Sequence, residues 1–254
     1  MLEKSLVTFI TAGDPSPKKT LDFMLVLERY SDVIELGIPF SDPVADGSVI
    51  QKASIRALKK GFRVRDVFEI VRGFRDHSEK KVVLMTYYNP VFRMGVEKFI
   101  RLSAEAGVDG IIAVDLPADS SREYVELCTK HGIRTIFIAS PNTTDERLRV
   151  IDEASTGFVY LTSDYGTTGK RERIGERAFD LLSRAKSICR NPVGVGFGVS
   201  KEEHVRALIQ AGADGVIVGS AIVELIEMYG EDADKHIEER VRELAKGLTD
   251  DPGS

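Results

Sequence analysis

Cysteine is scarce in this chain: only Cys128 and Cys189 are present, far apart and at no metal-ligand or redox spacing. A disulfide framework is excluded, and both read as reduced thiols of a cytoplasmic protein. Histidine is almost as rare. His77, His131, His204 and His236 all fall on expected helices or helix ends, so neither a histidine triad nor a zinc site is supported, and no metal is expected. No apolar run approaches the length of a membrane span, and the opening stretch has too few apolar residues for a signal peptide. Basic clusters are missing too. The 35 basic and 40 acidic residues interleave to a net charge of −5, which argues against nucleic acid as a partner. With no P-loop lysine motif, a nucleoside triphosphate is not implied.

What the chain does have is alternation. Short apolar stretches of strand type are expected over 6–10, 33–36, 81–87, 110–114, 134–139, 158–162, 193–196 and 215–218, each followed by a helical pattern. Such a series argues for a parallel sheet with helices outside. Eight units fit closure into an α/β (βα)8 TIM barrel, with an open doubly wound sheet as the alternative. The second and eighth connections each carry an extra helix. Ala106-Gly107-Val108-Asp109-Gly110-Ile111 is echoed by Ala211-Gly212-Ala213-Asp214-Gly215-Val216, as similar half-units would show. Ser200-Lys201-Glu202-Glu203 has the pattern of a capping box. The 254 residues, 43% of them hydrophobic, suit one domain over 1–254 with a polar tail at 249–254.

Two carboxylates need a physical account. Glu35 sits among Val33, Ile34, Leu36 and Ile38 in a strand that reads as fully buried. Burial disfavours its charged form and moves it toward proton transfer near neutral pH, the environment of a general base. A structural ion pair is the competing explanation. The following loop holds Asp42 and Asp46 among turn-forming residues, and turn chemistry accounts for aspartates there equally well. In a barrel the site lies at the C-terminal ends of the strands, where Glu35, Asp42 and Asp46 fall. Tyr87, Asn89, Asp115 and Tyr160 fall at the same end.

Glycines supply a second constellation. Gly196-Phe197-Gly198 follows the seventh strand and Gly219-Ser220 the eighth, where close backbone approach and helix-start N–H groups favour a phosphate. Glycines at strand ends also serve as plain turns. Phe9, Tyr87, Tyr160 and Phe197 near the rim could line a pocket for a flat ring or belong to the barrel core.

These residues resemble the tryptophan synthase alpha chain family. The likeness rests on Phe9-Ile10-Thr11-Ala12-Gly13-Asp14-Pro15, the stretch from Glu35 to Gly47 with Ile50-Gln51, and Tyr87-Tyr88-Asn89-Pro90. It continues in Asp115-Leu116-Pro117, the stretch from Gly157 to Leu161, Gly196-Phe197-Gly198 and Gly219-Ser220-Ala221. The resemblance implies retro-aldol cleavage of indole-3-glycerol phosphate to indole and glyceraldehyde 3-phosphate. It also implies no cofactor in this chain and a beta-chain partner, in an alpha2beta2 heterotetramer, that carries pyridoxal phosphate. Glu35 matches the family's acid/base and Asp46 the carboxylate that holds the indole N–H. Phe9, Tyr87 and Phe197 match the indole pocket, and Tyr160 a tyrosine lining the site. Gly169, Gly198, Gly219 and Ser220 match phosphate-binding positions, while Asp42 and Thr168 match loop residues that meet on closure.

The chain departs from the family at Asp164, where an arginine usually stands, and at Ser48, where a proline does, which implies a looser second loop. The helix that commonly precedes the first strand is almost absent, so a less covered and less stable barrel bottom is expected. Another phosphate-binding barrel, such as a sugar-phosphate isomerase, would share the glycines but has no reason to pair Glu35 with Asp46. An inactive barrel kept as a partner subunit is the rival from a different class.

Overall fold

The computed structural model describes residues 1–162 and 175–249. Eight parallel strands close into a barrel in sequence order, with β1 pairing both β2 and β8. They are β1 (Ser5–Thr11), β2 (Val33–Gly37), β3 (Lys81–Thr86), β4 (Gly110–Ala113), β5 (Arg134–Ala139), β6 (Val159–Thr162), β7 (Val193–Gly196) and β8 (Gly215–Val218). The first helices in chain order are α1 (Pro17–Leu27), α2 (Ser48–Lys59), α3 (Asp66–Arg75), α4 (Tyr88–Met94), α5 (Val96–Ala106) and α6 (Arg122–Lys130). Then come α7 (Asp145–Ala154), α8 (Glu176–Ile188), α9 (Glu202–Gln210), α10 (Ser220–Tyr229) and α11 (Asp234–Ala245). The extra helices of the second and eighth connections are α3 and α11. Residues 250–254, most of the expected tail, lie outside the described residues.

Period-two alternation divides each strand between two cores. On β2, Ile34 and Leu36 face the helices, while Val33 joins the interior cluster with Val7, Val83, Ile112, Phe158 and Ile217. Glu35 has the parity of Val33 and therefore faces the interior. The register sets it beside Phe9 of β1 and Val83 of β3.

Local rules were followed at some helix ends and overridden at others. Helix α1 starts at Pro17, with the Ser16 hydroxyl accepting the Lys19 N–H at 3.3 Å, an N-cap followed by proline that fixes its start. The expected capping box at Ser200 does not form. Helix α9 begins after Lys201 with no side-chain cap, because the Ser200 N–H donates to His204 Nδ1 at 3.4 Å and its carbonyl accepts from Arg240 at 3.0 Å. Helix α4 occupies a stretch expected to be loop, and Gly95 ends it at φ +93°.

The barrel bottom is closed, contrary to expectation. Leu2 is only 7% exposed and packs into the interior cluster, with Met1 beside it. A ring of glycines makes room for them: a Cβ on Gly215 would lie 2.9 Å from Leu2, on Gly194 3.1 Å from Leu2, and on Gly157 3.2 Å from the Met1 sulfur. Two apolar side chains thus cover the barrel bottom.

Candidate active site

The mouth holds a cavity of about 90 Å³ lined by Phe9, Glu35, Asp46, Tyr160, Gly198, Gly219 and Ser220, all expected site residues. Glu35 points up from β2, is 1% exposed, and finds no protein hydrogen-bond partner for either carboxylate oxygen among the described residues. Glu35 therefore has no ion-pair partner among the described residues. Burial first, and then the negative charge of Asp46, push the Glu35 carboxyl up to about 8. Glu35 is therefore mostly protonated at neutral pH.

Asp46 comes from the loop between β2 and α2. Burial pushes its carboxyl up to about 6, while a hydrogen bond from Tyr87 pulls the other way and favours the charged form. Two neighbouring carboxyls thus carry different charges near pH 7, the usual mark of an acid and an anion with separate tasks. Gln51 on α2 holds the loop by donating to the carbonyls of Asp46 at 2.8 Å and Pro43 at 3.4 Å. Arg56, one turn further, donates twice to the buried Asp14 carboxylate at 3.0 and 2.7 Å, which fixes α2 to the loop after β1. The second loop, expected to be looser for want of a proline at Ser48, is anchored at both ends.

Glycines and a helix start make another part of the wall. Gly219 precedes α10, whose first turn carries no acidic residue and whose leading N–H groups have no helical carbonyl to meet. Gly198 has φ +67°, a left-handed conformation that suits glycine, and Val199 and Gly196 continue the lining. Two rings are set against glycines of neighbouring strands. A Cβ on Gly37 would fall 2.5 Å from the Phe9 ring, and one on Gly196 would fall 2.6 Å from the Tyr160 hydroxyl. Any side chain at either glycine would displace a wall of the cavity.

Not every expected residue lines this cavity. Phe197 shares the outward parity of Val193 and Val195 and packs with them in the core between barrel and helices. Tyr87 also lies off the cavity. It faces inward, but the second loop lies over it, and it borders a smaller void beneath Asp46 with Thr11, Gly37 and Ser54. Asp42 is exposed on that loop and accepts from the Ser41 hydroxyl at 2.5 Å. Thr168, Gly169 and Asp164 lie outside the described residues. The apolar wall also includes Met85, Val114, Ile138, Ile217 and Ile50, which motif reading passed over. The first four have inward parity on their strands, and that signal was available. No group of histidine, cysteine and carboxylate side chains suited to a metal occurs among the described residues.

A closed parallel eight-stranded barrel with two carboxyls and a helix start on one cavity at its mouth has the layout of a barrel enzyme. The model of the tryptophan synthase alpha chain family matches residues 2–250. The tryptophan synthase alpha chain of Pyrococcus abyssi is 58% identical over 241 residues, covering 95% of this chain and 97% of that one. That of Thermococcus kodakarensis is 54% identical, covering 97% of each. A solved structure from Pyrococcus furiosus, described as the tryptophan synthase a2b2 complex, superposes with a TM-score of 0.93 at 55% identity, covering 96% of this chain and 98% of that one. The chain belongs to the tryptophan synthase alpha chain family, the lyase subunit of tryptophan biosynthesis.

Proposed function

We propose that this site cleaves indole-3-glycerol phosphate, with Glu35 as acid and base and Asp46 as the anion for the indole N–H. The observation that carries the reading is the split carboxyl pair, about 8 and about 6, facing one apolar-walled cavity. Protonated Glu35 gives its proton to indole C3, and the ring becomes a cation whose N–H is held by the Asp46 carboxylate. The Glu35 carboxylate then takes the proton of the side-chain hydroxyl next to C3. As the carbonyl forms, the C3–carbon bond breaks and its electron pair restores the indole. Glu35 ends protonated, as it began.

The phosphate sits at Gly198, Gly219 and Ser220 on the start of α10, with Gly169 added from the sixth loop. Phe9 and Tyr160 hold the ring. Asp42 and Thr168 meet as the loops close and exclude water. The partner is a tryptophan synthase beta chain, whose pyridoxal phosphate joins the released indole to serine. Val44 and Phe92, 80% and 66% exposed on the loop after β2 and on α4, lie on the mouth side of the barrel where that chain would receive indole. The described residues contain no helix long and apolar enough to cross a membrane, and we place the enzyme in the cytoplasm, to be checked by cell fractionation.

The deciding assay is indole release by the purified chain with and without a beta chain. Because the substrate carries the same ring, the released indole is extracted away from it before it is measured. Weak release that rises with the partner is expected. Turnover of a sugar phosphate with none of indole-3-glycerol phosphate would assign the site to a different barrel enzyme.

A further inference from the structure

Thr11 closes β1 with the inward parity of Val7 and Phe9, at the end of the barrel where the two carboxyls stand. It is 2% exposed, and its hydroxyl finds no hydrogen-bond partner among the described residues. Burying a hydroxyl without a partner costs stability that valine, of the same shape, would not, so its presence calls for a partner. Thr11 lines the small void beneath Asp46, which at about 10 Å³ has room for a single water or hydroxyl. Two other hydroxyls bordering that void are already engaged: Thr86 Oγ1 donates to the Tyr87 carbonyl at 3.1 Å, and the Tyr87 oxygen accepts the Ala45 N–H at 2.9 Å. The void adjoins the main cavity, since Phe9, Asp46, Ile50, Met85 and Val114 line both.

We propose that Thr11 and this void form a subsite for one small hydrogen-bonding substituent, a hydroxyl or amino group, on the substrate carbon next to the ring nitrogen. The proposal rests on the lyase reading, in which Asp46 holds the indole N–H. That contact decides which ring atom meets the void. Among the benzo-ring carbons that can carry a substituent, only C7 adjoins the N–H edge, so a group there lies beside the Asp46 carboxylate, while groups at C4, C5 and C6 lie further from it. The void borders the same carboxylate. A C7 hydroxyl entering it gives Thr11 the partner it lacks, as donor or as acceptor. Size limits the class, because one hydroxyl or amino group has the bulk of one water. The wall behind is tight as well, with Phe9 set so close to Gly37 that a Cβ there would fall 2.5 Å from the ring.

The test compares kcat/KM for 7-hydroxy- and 5-hydroxyindole-3-glycerol phosphate with that for the unsubstituted substrate, in the parent, Thr11→Val and Thr11→Ser. The parent should prefer the 7-hydroxy form about three- to tenfold, the usual worth of one neutral hydrogen bond, and gain nothing from the 5-hydroxyl. Thr11→Val should erase the preference, and Thr11→Ser, which returns the hydroxyl, should keep it. Ratios taken within one variant cancel any general loss of activity, and comparison between variants cancels the electronic effect of the ring hydroxyl. A 7-hydroxyl of no advantage in the parent would leave Thr11 to a bound water, and a preference that survives in Thr11→Val would put the group elsewhere; either result overturns the proposal. If the unsubstituted substrate is not cleaved with or without a beta chain, the lyase reading itself fails. Titration of the free chain with indole and 7-hydroxyindole then decides the subsite alone: a Thr11-dependent preference supports it, and equal binding of the two rings overturns it.

Discussion

At the scale of single residues, the site is a problem in placing charge. Burial and the Asp46 charge push the Glu35 carboxyl up to about 8, and burial pushes that of Asp46 up to about 6. On the roles we propose, the free enzyme is competent when Asp46 has lost its proton and Glu35 still holds one. The kcat/KM profile should therefore be a bell with limbs near about 6 and about 8, and a profile flat across that range would remove both assignments. Glu35→Gln keeps the shape and loses the proton, so kcat should fall by about two to four orders of magnitude while a substrate analogue still binds. The same substitution has a stability consequence of definite sign. Between the usual carboxyl range and about 8, the folded chain holds a proton on Glu35 that the unfolded chain has released, so stability falls as pH rises through that window. Gln has no such dependence. Glu35→Gln should be the more stable protein at pH 8 and above by a few kcal/mol, and no more stable than the parent below the ordinary carboxyl range; denaturant unfolding at both pH values reads the difference.

At the scale of elements, the strands were legible because each is a short apolar run closed by glycine, proline or a polar turn. The place of Glu35 and Asp46 at the cavity was legible because a strand end and the loop after it are neighbours both in sequence and in space. The aromatic residues were harder. Phe197 follows a glycine and precedes one, so the motif draws the eye to it, but strand parity points it outward with Val193 and Val195. Tyr87 has inward parity and still misses the cavity, because the loop folded over it comes from the neighbouring unit. Helix α4 escaped notice since Asn89-Pro90 reads as a turn, although proline in the first turn of a helix loses no hydrogen bond. The end of strand β7 and the start of helix α10 carry the proposed phosphate site, and their contribution can be tested apart from the carboxyls. Gly198 holds φ +67°, which alanine resists. Gly198→Ala should raise KM about tenfold, as expected for losing a hydrogen bond to a charged group, with kcat changed much less. Inhibition by glyceraldehyde 3-phosphate should weaken by the same factor, and an unchanged KM would take Gly198 out of the phosphate site.

At the scale of the whole molecule, the barrel has two ends with opposite demands. The mouth needs small residues so that backbone can approach a ligand, and the bottom needs apolar bulk so that water does not enter the interior. Both ends use glycine, for different reasons. Gly198 and Gly219 line the cavity, whereas Gly110, Gly157, Gly194 and Gly215 leave room for Met1 and Leu2. This second use was invisible in sequence, because it depends on the chain's first residues lying beneath strands more than a hundred positions away. Leu2 is thus a core residue in a position where side chains are ordinarily frayed and replaceable. Leu2→Ala removes apolar contact from a place the glycine ring cannot collapse to fill, so unfolding free energy should fall by about 2–4 kcal/mol. Gly215→Val should be destabilising by overpacking, since even its Cβ would lie 2.9 Å from Leu2, and combining it with Leu2→Ala should recover part of the loss. Both effects should appear in denaturant midpoints and leave the kinetic constants for indole release near those of the parent, because the cavity lies at the opposite end of the barrel. A Leu2→Ala chain as stable as the parent would show that the bottom is sealed by the strands alone.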